Sequence, residues 1–113
     1  MIINEKNVGK KIAYRVSGNF IYIGADDDLA LNLKKYERET EKQVDVTMDK
    51  DGMLLVGTDQ EGYFVAQITV PKRAYNGSVA IPFNPDNCTL DLWSIDVPLN
   101  KETPANNGEM MGV

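Results

Sequence analysis

The chain contains no histidine. That removes the commonest general base, the usual partner of a nucleophilic serine or cysteine, and the favoured ligand of transition metals. Hydrolases built on a histidine are thereby excluded. The one cysteine, Cys88, can form no internal disulfide and cannot hold zinc alone. It reads as a small packing residue at the start of a strand, in a protein suited to a reducing compartment. No run approaches the ~18 apolar residues of a membrane span, and Met1–Gly9 lacks the apolar stretch of a signal peptide. Glycine-rich phosphate loops of either common type are missing as well. No cofactor is expected.

Positive charge is scarce where it would matter. Residues 1–42 hold eight basic and seven acidic side chains, whereas residues 43–113 hold four and ten, giving +1 and −6 and a net charge of −5. Nucleic acid binding needs a concentrated basic field to displace counterions from phosphates, so no nucleic acid partner is expected, and no membrane partner either.

What is present is alternation. A length of 113 residues with 42% hydrophobic content suits one domain with a real core. In Tyr63–Val70 and Thr89–Val97 apolar and polar residues trade places at every second position, the period of a strand with one dry face. Phe64, Ala66, Ile68 and Val70 fall on one side of the first. The second changes phase: Leu90 and Leu92 share one parity, Trp93, Ile95 and Val97 the other. Either both faces are covered or a bulge near residues 92–94 shifts the register, with Trp93 near the rim.

Turn chemistry divides the rest. Gly18-Asn19 predicts a tight hairpin that sets Val16 opposite Ile21 and Tyr14 opposite Ile23, with Ile12, Tyr14, Val16, Ile21 and Ile23 on the core face. Residues 29–41 are ambiguous. Leu29, Leu31 and Leu33 alternate as in a strand, the favoured reading for 29–34, whereas Leu29, Leu33 and Tyr36 also fit a helix stripe with Asp28 as its cap; residues 35–41 allow a short helical turn. Val44, Val46 and Met48 alternate, Asp49-Lys50-Asp51-Gly52 turns, and Leu55 is expected back on their face. Asn76-Gly77 predicts a second hairpin joining residues 72–75 to 79–83, and Asn84-Pro85-Asp86-Asn87 another turn. Pro71 ends the best strand. The expected fold is all-β: a compact antiparallel β-sandwich or barrel of seven to eight short strands, occupying residues 1–98. Residues 99–113 lack periodicity and read as a flexible C-terminal tail.

Candidate chemistry is thin. The stretch Thr47–Gly52 imitates the start of a calcium loop, but threonine stands at both the first and the twelfth position, so a hairpin turn is the better reading. Asp26-Asp27-Asp28 offers oxygens to a hard cation, though adjacent carboxylates on a loop ordinarily repel and solvate. No metal site is assigned. The candidate interaction residues are Tyr63, Tyr75 and Trp93, aromatics able to anchor an interface, and Lys72 and Arg73, which either meet an anionic partner or guard an edge strand.

The segment Tyr63–Tyr75 (YFVAQITVPKRAY), then Pro82, then Thr89-Leu-Asp-Leu-Trp93, resembles a pattern in small β-rich proteins of Gram-positive phages and prophages. The likeness covers about a third of the chain. It lends no catalytic residues. It implies a non-enzymatic structural or protein-interaction module, associated with the virion or tail, whose partner is a phage structural protein or a host protein. Such a module is expected to self-associate at high concentration, as a homo-oligomer. The implied location is the host cytoplasm, or the virion after assembly. The alternative is an intracellular effector that engages a host protein through its acidic surface.

Overall fold

The computed structural model describes residues 1–57 and 62–96. It is built from strands, with ten among the described residues: β1 (Ile2–Glu5), β2 (Tyr14–Ser17), β3 (Phe20–Ile23), β4 (Leu29–Asn32), β5 (Lys42–Met48), β6 (Leu54–Val56), β7 (Tyr63–Val70), β8 (Tyr75–Asn76), β9 (Val79–Ala80) and β10 (Thr89–Leu92). They form an open five-stranded sheet in the order β1-β10-β7-β5-β6, a three-stranded sheet β2-β3-β4, and a separate ribbon β8-β9. The sheets are open, which decides between the sandwich and barrel readings. The ten strands exceed the expected seven to eight: β1 carries no alternation to announce it, whereas both ribbon strands were expected and are shorter than 72–75 and 79–83.

The first hairpin forms as its sequence predicts. Tyr14 pairs with Ile23, Arg15 with Tyr22 and Val16 with Ile21, and Gly18 takes φ 59°, which costs a residue with a Cβ about 1–2 kcal/mol. Ile21 and Ile23 are fully buried. Their partners Tyr14 and Val16 are not: both are exposed, because β2 is an edge strand and the core lies under β3. On the other face the Arg15 guanidinium sits 4.0 Å over the Tyr22 ring and bonds both oxygens of Asp27, at 3.1 and 2.7 Å.

Residues 29–32 are a strand, as the leucine alternation suggests. The helical turn falls at Leu33–Tyr36, earlier than 35–41, and is a single 3-10 turn that buries Leu33. The two sheets then bury one common core. Ile21, Ile23, Leu31 and Leu33 come from one side, and Val44, Val46, Val65, Ala66, Ile68, Val70, Leu90 and Leu92 from the other. Each of the larger aliphatic groups is worth roughly 1.5–3 kcal/mol on burial.

Two facings differ from expectation, each for a countable reason. The β5–β6 loop spans Asp49–Met53, so Met48 pairs with Leu54 and Thr47 with Leu55. That odd loop length puts Leu55 on the outside and Leu54 against the core. Asp49 sets the loop: its Oδ1 accepts from the N–H groups of Asp51 and Met53, both at 2.9 Å. In β7 the register against β5 shifts after the Val46–Ala66 pair, so that Thr47 pairs with Phe64 and Val65 has no partner. This bulge buries Val65 and turns Phe64, expected in the core, outward.

The phase change of the last strand is resolved by its ending. β10 stops at Leu92, Ser94 makes a lone bridge to Lys11, and Ile95 is partly buried against the core. Val97 lies outside the described residues, as does the whole segment 99–113 read as a tail. The antiparallel expectation needs one correction. β1 pairs with β10 in parallel, from Ile2–Thr89 to Glu5–Leu92. The short connections that forbid parallel neighbours elsewhere do not constrain strands more than eighty residues apart.

Candidate functional site

Arg73 and Tyr75 come together. Immediately beyond Pro71, the Arg73 N–H donates to the Arg38 carbonyl at 2.7 Å, which fastens this segment to the chain after the 3-10 turn. The guanidinium then reaches Glu39 Oε2 at 2.8 Å and Glu37 Oε1 at 3.4 Å. The Tyr75 hydroxyl donates to the same Glu39 carboxylate, 2.7 Å from Oε2. Hydrogen bonding with Tyr75 and with Glu37 holds the Arg73 proton more tightly than usual, and Glu39 raises the Tyr75 phenol above its ordinary value. Arg73 thus has carboxylate partners within the chain and is not an open receptor for an anion. Lys72 beside it is exposed and makes no ion pair among the described residues.

This clamp carries the β8–β9 ribbon. Tyr75 pairs with Ala80 and Asn76 with Val79, around a Gly77-Ser78 turn in which Gly77 has φ 66°. Ile81 N–H donates to the Ala74 carbonyl at 2.8 Å. A hairpin forms in this segment as expected, but its turn is Gly77-Ser78 rather than Asn76-Gly77 and its strands are shorter than 72–75 and 79–83; it joins neither sheet, and every residue from Ala74 to Pro82 is exposed. Strand alternation places Val79 and Ile81 on the face opposite Tyr75, at 68% and 46% exposure.

Tyr63 and Trp93 lie elsewhere. Tyr63 is half-buried at the start of β7, its hydroxyl 3.4 Å from Met48 Sδ, and burial, with Asp49 adding to it, pushes its phenol up. Trp93 donates its backbone N–H to the Val65 carbonyl at 3.2 Å and sets its ring against Phe64, centroids 6.0 Å apart. The five residues singled out in the sequence therefore divide into a ribbon base and the opposite end of β7.

The outer face of the large sheet carries an arrangement that sequence reading missed. Asn4, Asp91, Gln67 and Asp45 stand directly opposite one another on β1, β10, β7 and β5. Asn4 Nδ2 donates to Asp91 Oδ1 at 3.0 Å, and Gln67 Nε2 donates to Asp45 Oδ1 at 2.8 Å. Their polar parity within each strand is visible in the sequence, but their alignment depends on sheet order. Glu37 and Glu39 were missed for the same reason, since 34 to 36 residues separate them from Arg73 and Tyr75.

Other chemistry is sparse. Among the described residues no group of three or more Cys, Asp or Glu side chains is placed to hold a metal ion. Asp27 is engaged by Arg15, whose hydrogen bond lowers its pKa, and the calcium-like stretch is the Asp49 turn. No described helix is long and apolar enough to cross a membrane. Comparison with known proteins gives no match to a family model, to a curated protein or to a solved structure.

Proposed function

We propose that this chain is a non-enzymatic interaction module that engages another protein through the β8–β9 ribbon, with Lys72, Arg73 and Tyr75 at its base. One observation carries the reading. A two-stranded ribbon standing apart from any sheet is marginally stable in water, yet here the Arg73–Glu37–Glu39–Tyr75 clamp holds it so that Val79 and Ile81 face solvent. Apolar side chains displayed on a tethered ribbon suit insertion into a partner's surface. The sequence resemblance supplies the context: a phage or prophage accessory protein of the virion or tail, with a phage or host protein as partner.

A photo-crosslinking residue at position 79 tests this in phage-producing Gram-positive cells. A discrete protein adduct is expected from position 79 and not from the exposed Ala30 of β4. The double substitution Val79→Asp, Ile81→Asp should abolish the corresponding complex while leaving the melting temperature within about 2 °C of the parent, as surface changes of ±0.5 kcal/mol do. A strictly monomeric protein with no adduct at position 79 would overturn the proposal.

A further inference from the structure

The outer face of the five-stranded sheet has the chemistry of a ligand surface, independently of the ribbon. Strand alternation directs Gln43, Asp45, Gln67, Thr69, Thr89 and Asp91 outward from the three central strands. None of these is lysine, arginine or glutamate, the long charged groups that ordinarily cover a solvated sheet. Across four strands the groups alternate amide, carboxylate, amide, carboxylate: Asn4, Asp91, Gln67, Asp45. At about 4.8 Å between strands, the row spans about 14 Å. The two internal hydrogen bonds fix side-chain orientation before any ligand arrives. At the end of this face the β7 bulge turns Phe64 outward, 42% exposed, against Trp93.

We infer that this face binds a neutral polysaccharide. Charge selects the class. Among the four described side chains of the row two are carboxylates and none is a cation, which disfavours phosphate polymers and anionic surfaces. A second copy laid face to face would bring like carboxylates together as they lose water. Hydroxyl groups are both donors and acceptors, and a row of alternating amides and carboxylates satisfies both roles. Phe64 and Trp93 offer the apolar surface against which the C–H face of a sugar ring packs. A basic peptide, which would pair with the two carboxylates by charge alone, is the competing occupant that the titration separates.

Trp93 is the single tryptophan of the chain, so its fluorescence reports this face directly. The full chain is titrated with short soluble neutral oligosaccharides of glucose, mannose and N-acetylglucosamine, up to about 10 mM. The expected result is a saturable change in Trp93 emission with at least one of them, accompanied by shifts of the Asn4 and Gln67 side-chain amide NMR signals. Gln67→Ala and Asp91→Ala should each weaken binding about tenfold, the effect of one lost hydrogen bond to a charged or well-placed group. The ribbon variant Val79→Asp, Ile81→Asp should bind as the parent does. The amide signals are read on the unmodified protein, so the inference stands or falls even where a substitution impairs folding. No response to any oligosaccharide overturns it, as does binding unaffected by the Gln67 and Asp91 substitutions in folded protein, or a response to a lysine-rich peptide alone.

Discussion

At Cys88 the fold turns a reactive group into packing material. The side chain is fully buried ahead of β10, and burial pushes its thiol up to about 11. The folded chain therefore holds that proton more tightly than the unfolded chain does. The resulting stability is complete below the ordinary thiol range and is lost as pH climbs through it towards 11. Tyr63 and Tyr75 titrate in the same direction, so the difference between the parent and Cys88→Ala isolates the thiol. Urea midpoints should fall more steeply with pH in the parent than in the variant above the ordinary thiol range; coincident slopes would show that the thiol is not held. Native protein should also resist thiol reagents near neutral pH.

At the scale of elements, the two glycine turns separate what the domain needs from what the ribbon needs. Gly18→Ala forces a Cβ into a left-handed conformation within a hairpin that carries Ile21 and Ile23. It should cost about 1–2 kcal/mol and lower the melting temperature by roughly 4–8 °C per kcal/mol. Gly77→Ala imposes the same local cost on a ribbon outside the core, so the melting temperature should hold while partner binding weakens. The Gly18 turn was legible to the residue and the Gly77 turn to within one position, because a turn is a local event, and so were the pairing of Val16 with Ile21 and the full extent of β7. Facing was legible only while the period of two ran unbroken. The five-residue Asp49–Met53 loop reversed Leu55, and the bulge at Val65 reversed Phe64. Neither was visible, because each depends on how a strand meets its neighbour. The Arg73 clamp and the Asn4–Asp45 row were hidden for the same reason, although Arg73, Tyr75 and Trp93 had each been singled out for their residue type.

For the whole molecule, the parallel joint between β1 and β10 is the strand pairing of longest range among the described residues. Lys6 N–H donates to the Leu92 carbonyl at 2.8 Å, and along a parallel ladder the N–H of the preceding residue points away from the neighbour. Lys6→Pro should therefore strand a carbonyl and cost about 1–3 kcal/mol. Glu5→Pro gives up no ladder bond and should cost less, in keeping with the tolerance of edge strands for proline. Thermal melts of the two variants decide this, and equal losses would mean that β1 adds little beyond covering the edge.

The same joint sets an order of events during synthesis. Ile2–Glu5 leaves the ribosome early, yet its hydrogen-bonding partner Thr89–Leu92 is not translated until some 85 residues later. At 5–20 residues per second, that delay is on the order of ten seconds. Throughout it, the newborn segment carries two isoleucines with nothing to dock against. A nascent chain arrested before residue 89 would present this segment to chaperones, and release beyond residue 92 would withdraw it.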